Sequence, residues 1–185
     1  MKRLFIAVKV EADGTLLRVI SNLKALLGGE NIKWVDPGNM HLTLAFLGDT
    51  EEKRIKALTL VLKDAVTDLH KFDFTIKGSG VFRNYRDPRV IWAGIEQPGG
   101  LESLYEKIKS GFDETGFITE ERQFRPHLTL GRIKSIKDID NLKAVIGKYS
   151  DMDIQKVKVE KVILYESILL PTGPLYKAIG TYELL

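Results

Sequence analysis

The tetrapeptide His-Leu-Thr-Leu occurs twice in this chain, at His41–Leu44 and at His127–Leu130, and the two copies lie 86 residues apart. The chain has only three histidines, His41, His70 and His127, so two of the three share the next three residues. Chance would produce that at roughly the one-in-a-thousand level. The same shift lays Arg3 on Arg89 and Ala7 on Ala93. A chain of 185 residues built from a repeat of this length has room for one domain of two similar lobes.

Periodicity supports the repeat. Alternation over Leu4–Val10 predicts a strand, and Asp13 and Thr15 offer caps for a helix whose face is Leu16, Ile20, Leu23 and Leu27. Met40–Leu47 reads as a second strand, and a helix from about Thr50 presents Ile55, Leu58, Leu62, Ala65 and Leu69. Phe72, Phe74 and Ile76 alternate as a third strand ending near Gly78-Ser-Gly80. The order then restarts: a strand over Arg89–Ile95, and a helical stripe of Leu101, Leu104, Tyr105, Ile108 and Phe112 closed by Gly116. A strand carrying His127 follows, then a helix over Asp138–Gly147 and closing strands Val157–Tyr165 and Leu175–Tyr182 around Pro171-Thr-Gly-Pro174. The expected architecture is α+β, bilobal, with approximate lobes 1–88 and 89–185 related by a pseudo-twofold. Each lobe carries an antiparallel sheet backed by helices, and exchange of strands between lobes is allowed. A ferredoxin-like pair of split βαβ units gives the same pattern.

On a strand, His41 and Thr43 project to one face while Leu42 and Leu44 enter the core, and His127 and Thr129 do the same. A twofold would bring two imidazoles and two hydroxyls to one groove. Cleaving a phosphodiester needs a proton taken from the attacking oxygen and another given to the leaving oxygen, which two histidines in opposite protonation states supply near neutral pH. Threonine hydroxyls and nearby cations can hold the non-bridging oxygens. A zinc site is disfavoured, because it needs three or four protein ligands, His-x-Thr offers one, and the chain has no cysteine. His70 lies outside the motif at a predicted helix end, where capping or simple exposure accounts for it.

The absence of cysteine also removes disulfides and thiolate chemistry and fits a reducing, cytoplasmic setting. The apolar start is cut short by Lys9 and Glu11, so neither a signal peptide nor a membrane span is expected. A net charge of +3 is too small for global polyanion binding, so cations must act in patches. Arg122 and Arg125 lead into the second motif and Arg132 leaves it. Strict alternation would put Arg132 on the face of Leu128 and Leu130, so reaching the groove requires a strand end or a bulge. Phe82–Arg89 interleaves Arg83, Arg86 and Arg89 with Phe82 and Tyr85, either as an RNA-binding loop or as a solvated turn. Trp34 and Trp92 are read as packing residues.

These residues resemble the 2H phosphoesterase superfamily, and within it the RNA 2′,3′-cyclic phosphodiesterase branch, also called 2′-5′ RNA ligase. The resemblance covers Arg3-Leu-Phe-Ile-Ala7, His41-Leu-Thr-Leu-Ala-Phe-Leu-Gly48, Arg89-Val-Ile-Trp-Ala-Gly94, Phe124-Arg-Pro-His-Leu-Thr-Leu130 with Arg132, and Gly173-Pro-Leu-Tyr176. It implies a bilobal fold with a central cleft, and opening of terminal 2′,3′-cyclic phosphates on RNA, such as tRNA fragments, to 2′-phosphomonoesters. It implies no metal, ATP or other cofactor. By the resemblance His41 is the general acid and His127 the general base, with Thr43, Thr129 and Arg132 on the phosphate. Arg125, Arg122, Arg83, Tyr85 and Arg86 are candidates for contacting the RNA chain, a monomer is expected, and the same groups would serve reversible 2′-5′ ligation. Two alternatives stand beside this: a cyclic phosphodiesterase for a small nucleotide such as ADP-ribose 1″,2″-cyclic phosphate, and a non-catalytic RNA-binding module.

Overall fold

The opening strand β1 (Lys2–Lys9) is apolar on both faces, and the structure shows why. In the computed structural model, which describes residues 1–117 and 123–185, Leu4, Ile6, Val8 and the following Val10 enter the main core. Phe5 and Ala7 join a second, smaller cluster with Ile163, Tyr165 and Tyr176. A strand buried on both sides loses the polar half of its alternation.

Among the described residues β1 is followed by α1 (Gly14–Leu26), β2 (Asn31–Trp34), β3 (His41–Thr50), α2 (Ile55–Val66), β4 (Phe72–Phe82), β5 (Val90–Glu96) and α3 (Gly99–Thr115). Then come β6 (Leu128–Ser135), α4 (Ile139–Gly147), β7 (Asp153–Val159), β8 (Lys161–Leu170) and β9 (Gly173–Glu183). They form two antiparallel sheets, β3-β1-β8-β9 and β2-β6-β5-β4-β7. The 86-residue shift carries β1 onto β5, β3 onto β6 and β4 onto β8, so both sheets contain the same run of three strands. The third strands are crossed over: β4 pairs with β5, and β8 pairs with β1. The sheets therefore do not divide at residue 88.

The helices sit where their apolar faces require. The Asp13 side chain caps α1, accepting hydrogen bonds from the backbone N–H of Thr15 and Leu16 at 2.8 and 2.9 Å. Leu16, Val19, Ile20 and Leu23 are buried, and α1 packs on β7 and α4. Gln155 of β7 locks that junction, accepting from the Asp13 N–H and donating to the Glu11 carbonyl. On the other side α2 packs against α3 and β9, burying Leu58, Val61, Leu62, Ala65 and Val66. Gly116 ends α3 with φ 66°, the left-handed closure expected for it.

Four local expectations need correction. The short edge strand β2 has no counterpart in the sequence reading, because four residues are too few to show a period. The helix expected from about Thr50 begins at Ile55, since β3 runs through Thr50 and a single 3-10 turn, Glu52–Arg54, intervenes. β4 continues through Gly78 to Phe82. There Gly78 is left unpaired between Lys77 and Ser79, has φ 73°, and donates its N–H to the Met152 carbonyl at 2.9 Å. The single strand expected over Val157–Tyr165 is two, β7 and β8, separated at Glu160 and lying in different sheets.

A Cβ at Gly78 would stand 2.6 Å from the Ser150 carbonyl oxygen and would have to adopt the positive φ. Gly78→Ala should therefore cost at least the ~1–3 kcal/mol of a strained backbone position. Gly29→Ala, where nothing lies within 4 Å, should stay within about 0.5 kcal/mol of wild type. Urea unfolding of the two variants is the measurement, and equal midpoints would refute the account.

Candidate active site

The strands β3 and β6, one from each sheet, approach each other, and this brings the two His-Leu-Thr-Leu segments to one cleft. Leu42, Leu44, Leu128 and Leu130 are buried in the main core. His41, His127 and Thr129 are half-buried and Thr43 is exposed, as alternation demands.

Both imidazoles are held in the same way. His41 Nδ1 lies 2.7 Å from the Asn39 carbonyl oxygen, and His127 Nδ1 lies 2.7 Å from the Arg125 carbonyl oxygen. A carbonyl only accepts, so Nδ1 donates in each ring, and Nε2 is left with its lone pair when the ring is neutral. That is the atom that can take or return a proton. Each ring is also packed by aromatics. Phe5 lies 4.9 Å from His41 and Tyr176 meets it edge-on at 5.1 Å, while Phe82 meets His127 edge-on at 4.6 Å.

Burial pushes both histidines below the ordinary imidazole value, opposed in each case by the carbonyl bond, which favours the charged form. The Arg132 guanidinium lowers both further, and the His127 charge adds to this at His41. Arg132 therefore stands within electrostatic reach of both motifs, and of Tyr176 as well.

Arg132 reaches this position through a bulge. In the pairing of β5 with β6, Ile91 faces Gly131 and Trp92 faces Thr129, which leaves Leu130 without a partner. Leu130 and Gly131 are both buried, and Arg132 returns to the exposed face. β3 has the same device. Ile6 faces Ala45 and Ala7 faces Thr43, so Leu44 is the extra residue, and Leu44 and Ala45 are both buried. The position that matches Arg132 at the 86-residue shift is Phe46, 40% exposed, with the Arg3 guanidinium 5.2 Å from its ring centroid. The repeat is thus broken at the residue that follows each bulge. Phe46, Arg3, Phe5 and Tyr176 were not singled out as site residues by sequence, although the shift that aligns the motifs also puts Phe46 opposite Arg132; Phe82, read as an aromatic of the Phe82–Arg89 loop, packs against the His127 ring.

The remaining candidates are distributed around this centre. Arg125 contributes its carbonyl to His127, while its side chain is exposed and donates to Gln123 at 3.2 Å. Arg122 lies outside the described residues. The loop after Phe82 is organised by Asn84, whose side-chain oxygen accepts from the N–H groups of Arg86 and Asp87. Arg83 and Arg89 both pair with Asp87, Tyr85 is half-buried with Lys143 Nζ 5.8 Å from its ring centroid, and Arg86 is exposed. His70 is exposed beyond the end of α2. Among the described residues no cluster of three or more His, Cys, Asp or Glu is placed to hold a metal ion. Nor is any helix among them long and apolar enough to cross a membrane.

Known proteins match this chain over nearly its whole length. The RNA 2′,3′-cyclic phosphodiesterase of Methanothermobacter thermautotrophicus is 34% identical over 184 residues, 98% of each chain. That of Thermotoga maritima is 37% identical over 181 residues, covering 96% of this chain and 92% of the relative. Among solved structures, TT0787 of Thermus thermophilus superposes with a TM-score of 0.80 at 26% identity, covering 98% of this chain and 97% of that one. E. coli LigT complexed with 3′-AMP gives 0.73 at 25% identity, covering 99% and 98%. The family described as LigT like Phosphoesterase matches residues 6–92 and 94–176, which span both motifs, and the chain belongs to that family.

Proposed function

We propose that this protein is an RNA 2′,3′-cyclic phosphodiesterase that opens terminal cyclic phosphates to 2′-phosphomonoesters by two-histidine acid/base catalysis. The observation that carries the mechanism is the matched pair of imidazoles, each with Nδ1 tied to a carbonyl and Nε2 left to exchange protons, with Arg132 acting on both. His127 Nε2 takes a proton from water as the water oxygen bonds to phosphorus. The bond from phosphorus to the 3′ oxygen breaks, and that oxygen takes the proton held on His41 Nε2. Thr43, Thr129 and Arg132 hold the non-bridging oxygens, where charge accumulates. With a ribonucleotide 5′-hydroxyl in place of water the same steps make a 2′-5′ bond, and read backwards they break it.

In the free protein both rings are biased toward neutrality. A bound phosphate anion opposes that bias and favours protonating one of them, so the acid is charged when the substrate arrives. Arg3 against Phe46 forms an aromatic face with a guanidinium edge on the cleft side of β3, suited to stacking a nucleobase. The exposed Arg125 and Arg86 flank the His127 side and are proposed to follow the RNA backbone. Both motifs come from one chain, so a monomer contains the whole site.

His41→Ala and His127→Ala should each lower kcat by about 10²–10⁴-fold on a 2′,3′-cyclic-phosphate oligoribonucleotide in EDTA, with 2′-phosphate as the wild-type product by ³¹P NMR. Full activity in His127→Ala, or turnover lost on adding EDTA, would contradict the mechanism. Because both histidines lie below the ordinary value, kcat/KM should peak on the acid side of pH 6.5. Arg132→Gln removes a positive neighbour from each, so besides slowing the reaction it should shift the profile toward higher pH. An unmoved profile would show that Arg132 does not act on the pair.

A further inference from the structure

Beside His41 lies an open pocket, lined by Lys9, Asn39, His41, Tyr165 and Tyr176 among others. The strand residues in its lining all come from the sheet β3-β1-β8-β9. Lys9 is the cross-strand partner of His41 in the β1–β3 ladder, whereas the position matching it at the 86-residue shift is Ile95. The pocket has no acidic side chain in its lining, and among the described residues Lys9 has no carboxylate within 4 Å. The Lys9 ammonium and the His41 imidazole line the same pocket from neighbouring strands. Burial raises both tyrosine hydroxyls above their ordinary value and keeps them as neutral donors. An ammonium and two hydroxyl donors without a carboxylate are the complement of a phosphate.

We infer that this pocket receives the phosphate on the 5′ oxygen of the terminal nucleotide, with Lys9 as the specificity-determining contact for a continuing RNA chain. The inference rests on the cyclic phosphodiesterase reading above. The order of side chains along the strand pair matches the order of groups on the ribose. Phe46 with Arg3 lies at one end, Thr43 and His41 follow, and Lys9 lies opposite His41. On the substrate the base hangs from C1′, the cyclic phosphate spans C2′ and C3′, and the 5′ phosphate is carried beyond C4′. A base on Phe46 and a 5′ phosphate at Lys9 put the cyclic phosphate between them, with its 3′ oxygen on the His41 side. This is the oxygen His41 must protonate to leave a 2′-phosphate, and it separates the roles of two histidines that the repeat alone leaves equivalent.

The test compares kcat/KM on two probes, a nucleoside 2′,3′-cyclic phosphate with a free 5′-hydroxyl and the same compound carrying a 5′-phosphate. Wild type should prefer the 5′-phosphorylated probe. In Lys9→Met that preference should shrink about fivefold, the worth of one partly exposed charge pair, and Lys9→Arg should keep most of it. On an oligoribonucleotide the slope of log kcat/KM against log salt should flatten by about 0.7 in Lys9→Met, one phosphate contact on a single strand. A Lys9→Met preference equal to that of wild type, or no preference in wild type, overturns the subsite and leaves the cyclic phosphodiesterase reading standing. Failure of wild type to open either probe overturns that reading, and the subsite with it.

Discussion

The exchange of third strands between the two repeats is the constraint on which the rest of this molecule depends. Because β4 hydrogen-bonds to β5 and β8 to β1, neither half of the chain can complete its own sheet. The backbone N–H and C=O groups of each central strand need the other half as partner, so the lobes form together or leave those groups unpaired. The exchange places β3 and β6, the strands with the two motifs, on facing sheets across one cleft. A site built from two copies of a tetrapeptide needs that, since one copy supplies only one imidazole.

Within this frame one device is used twice. An extra residue, Leu44 in β3 and Leu130 in β6, lets two consecutive side chains stay buried and then returns the next to the cleft. The repeat is kept at His, Thr and the carbonyl two residues before each His. It diverges at the residue delivered by the bulge, Phe46 in one lobe and Arg132 in the other, and at Lys9 against Ile95. The two sides of the cleft therefore differ although the two motifs are alike.

Much of this was legible in the amino-acid sequence. The strands and helices with clear periods, the Asp13 cap and the Gly116 closure lie where local rules put them, because each is decided by residues a turn apart. The condition for Arg132 to face the groove was also legible, since alternation alone would bury it. What was not legible had non-local causes. Gly78 looked like a stop because a lone glycine cannot reveal that its N–H will meet the Met152 carbonyl. The break at Glu160 was hidden because the residues on both sides of it are strand-formers, and only the competition of two sheets for one segment divides them.

The sequence by itself determined the repeat, the α+β class, the pairing of each His with a Thr on one face, and the exclusion of thiol chemistry by the absence of cysteine. These follow from spacing and residue type, which need no third dimension. Only the tertiary structure decided which strands exchange, that Tyr176, some 135 residues along the chain from His41, packs on its ring, and that Asp87 takes up Arg83 and Arg89. It also decided the shared depression of the two imidazoles. Burial and the field of Arg132 depend on distance through space, and separation along the chain does not encode that distance.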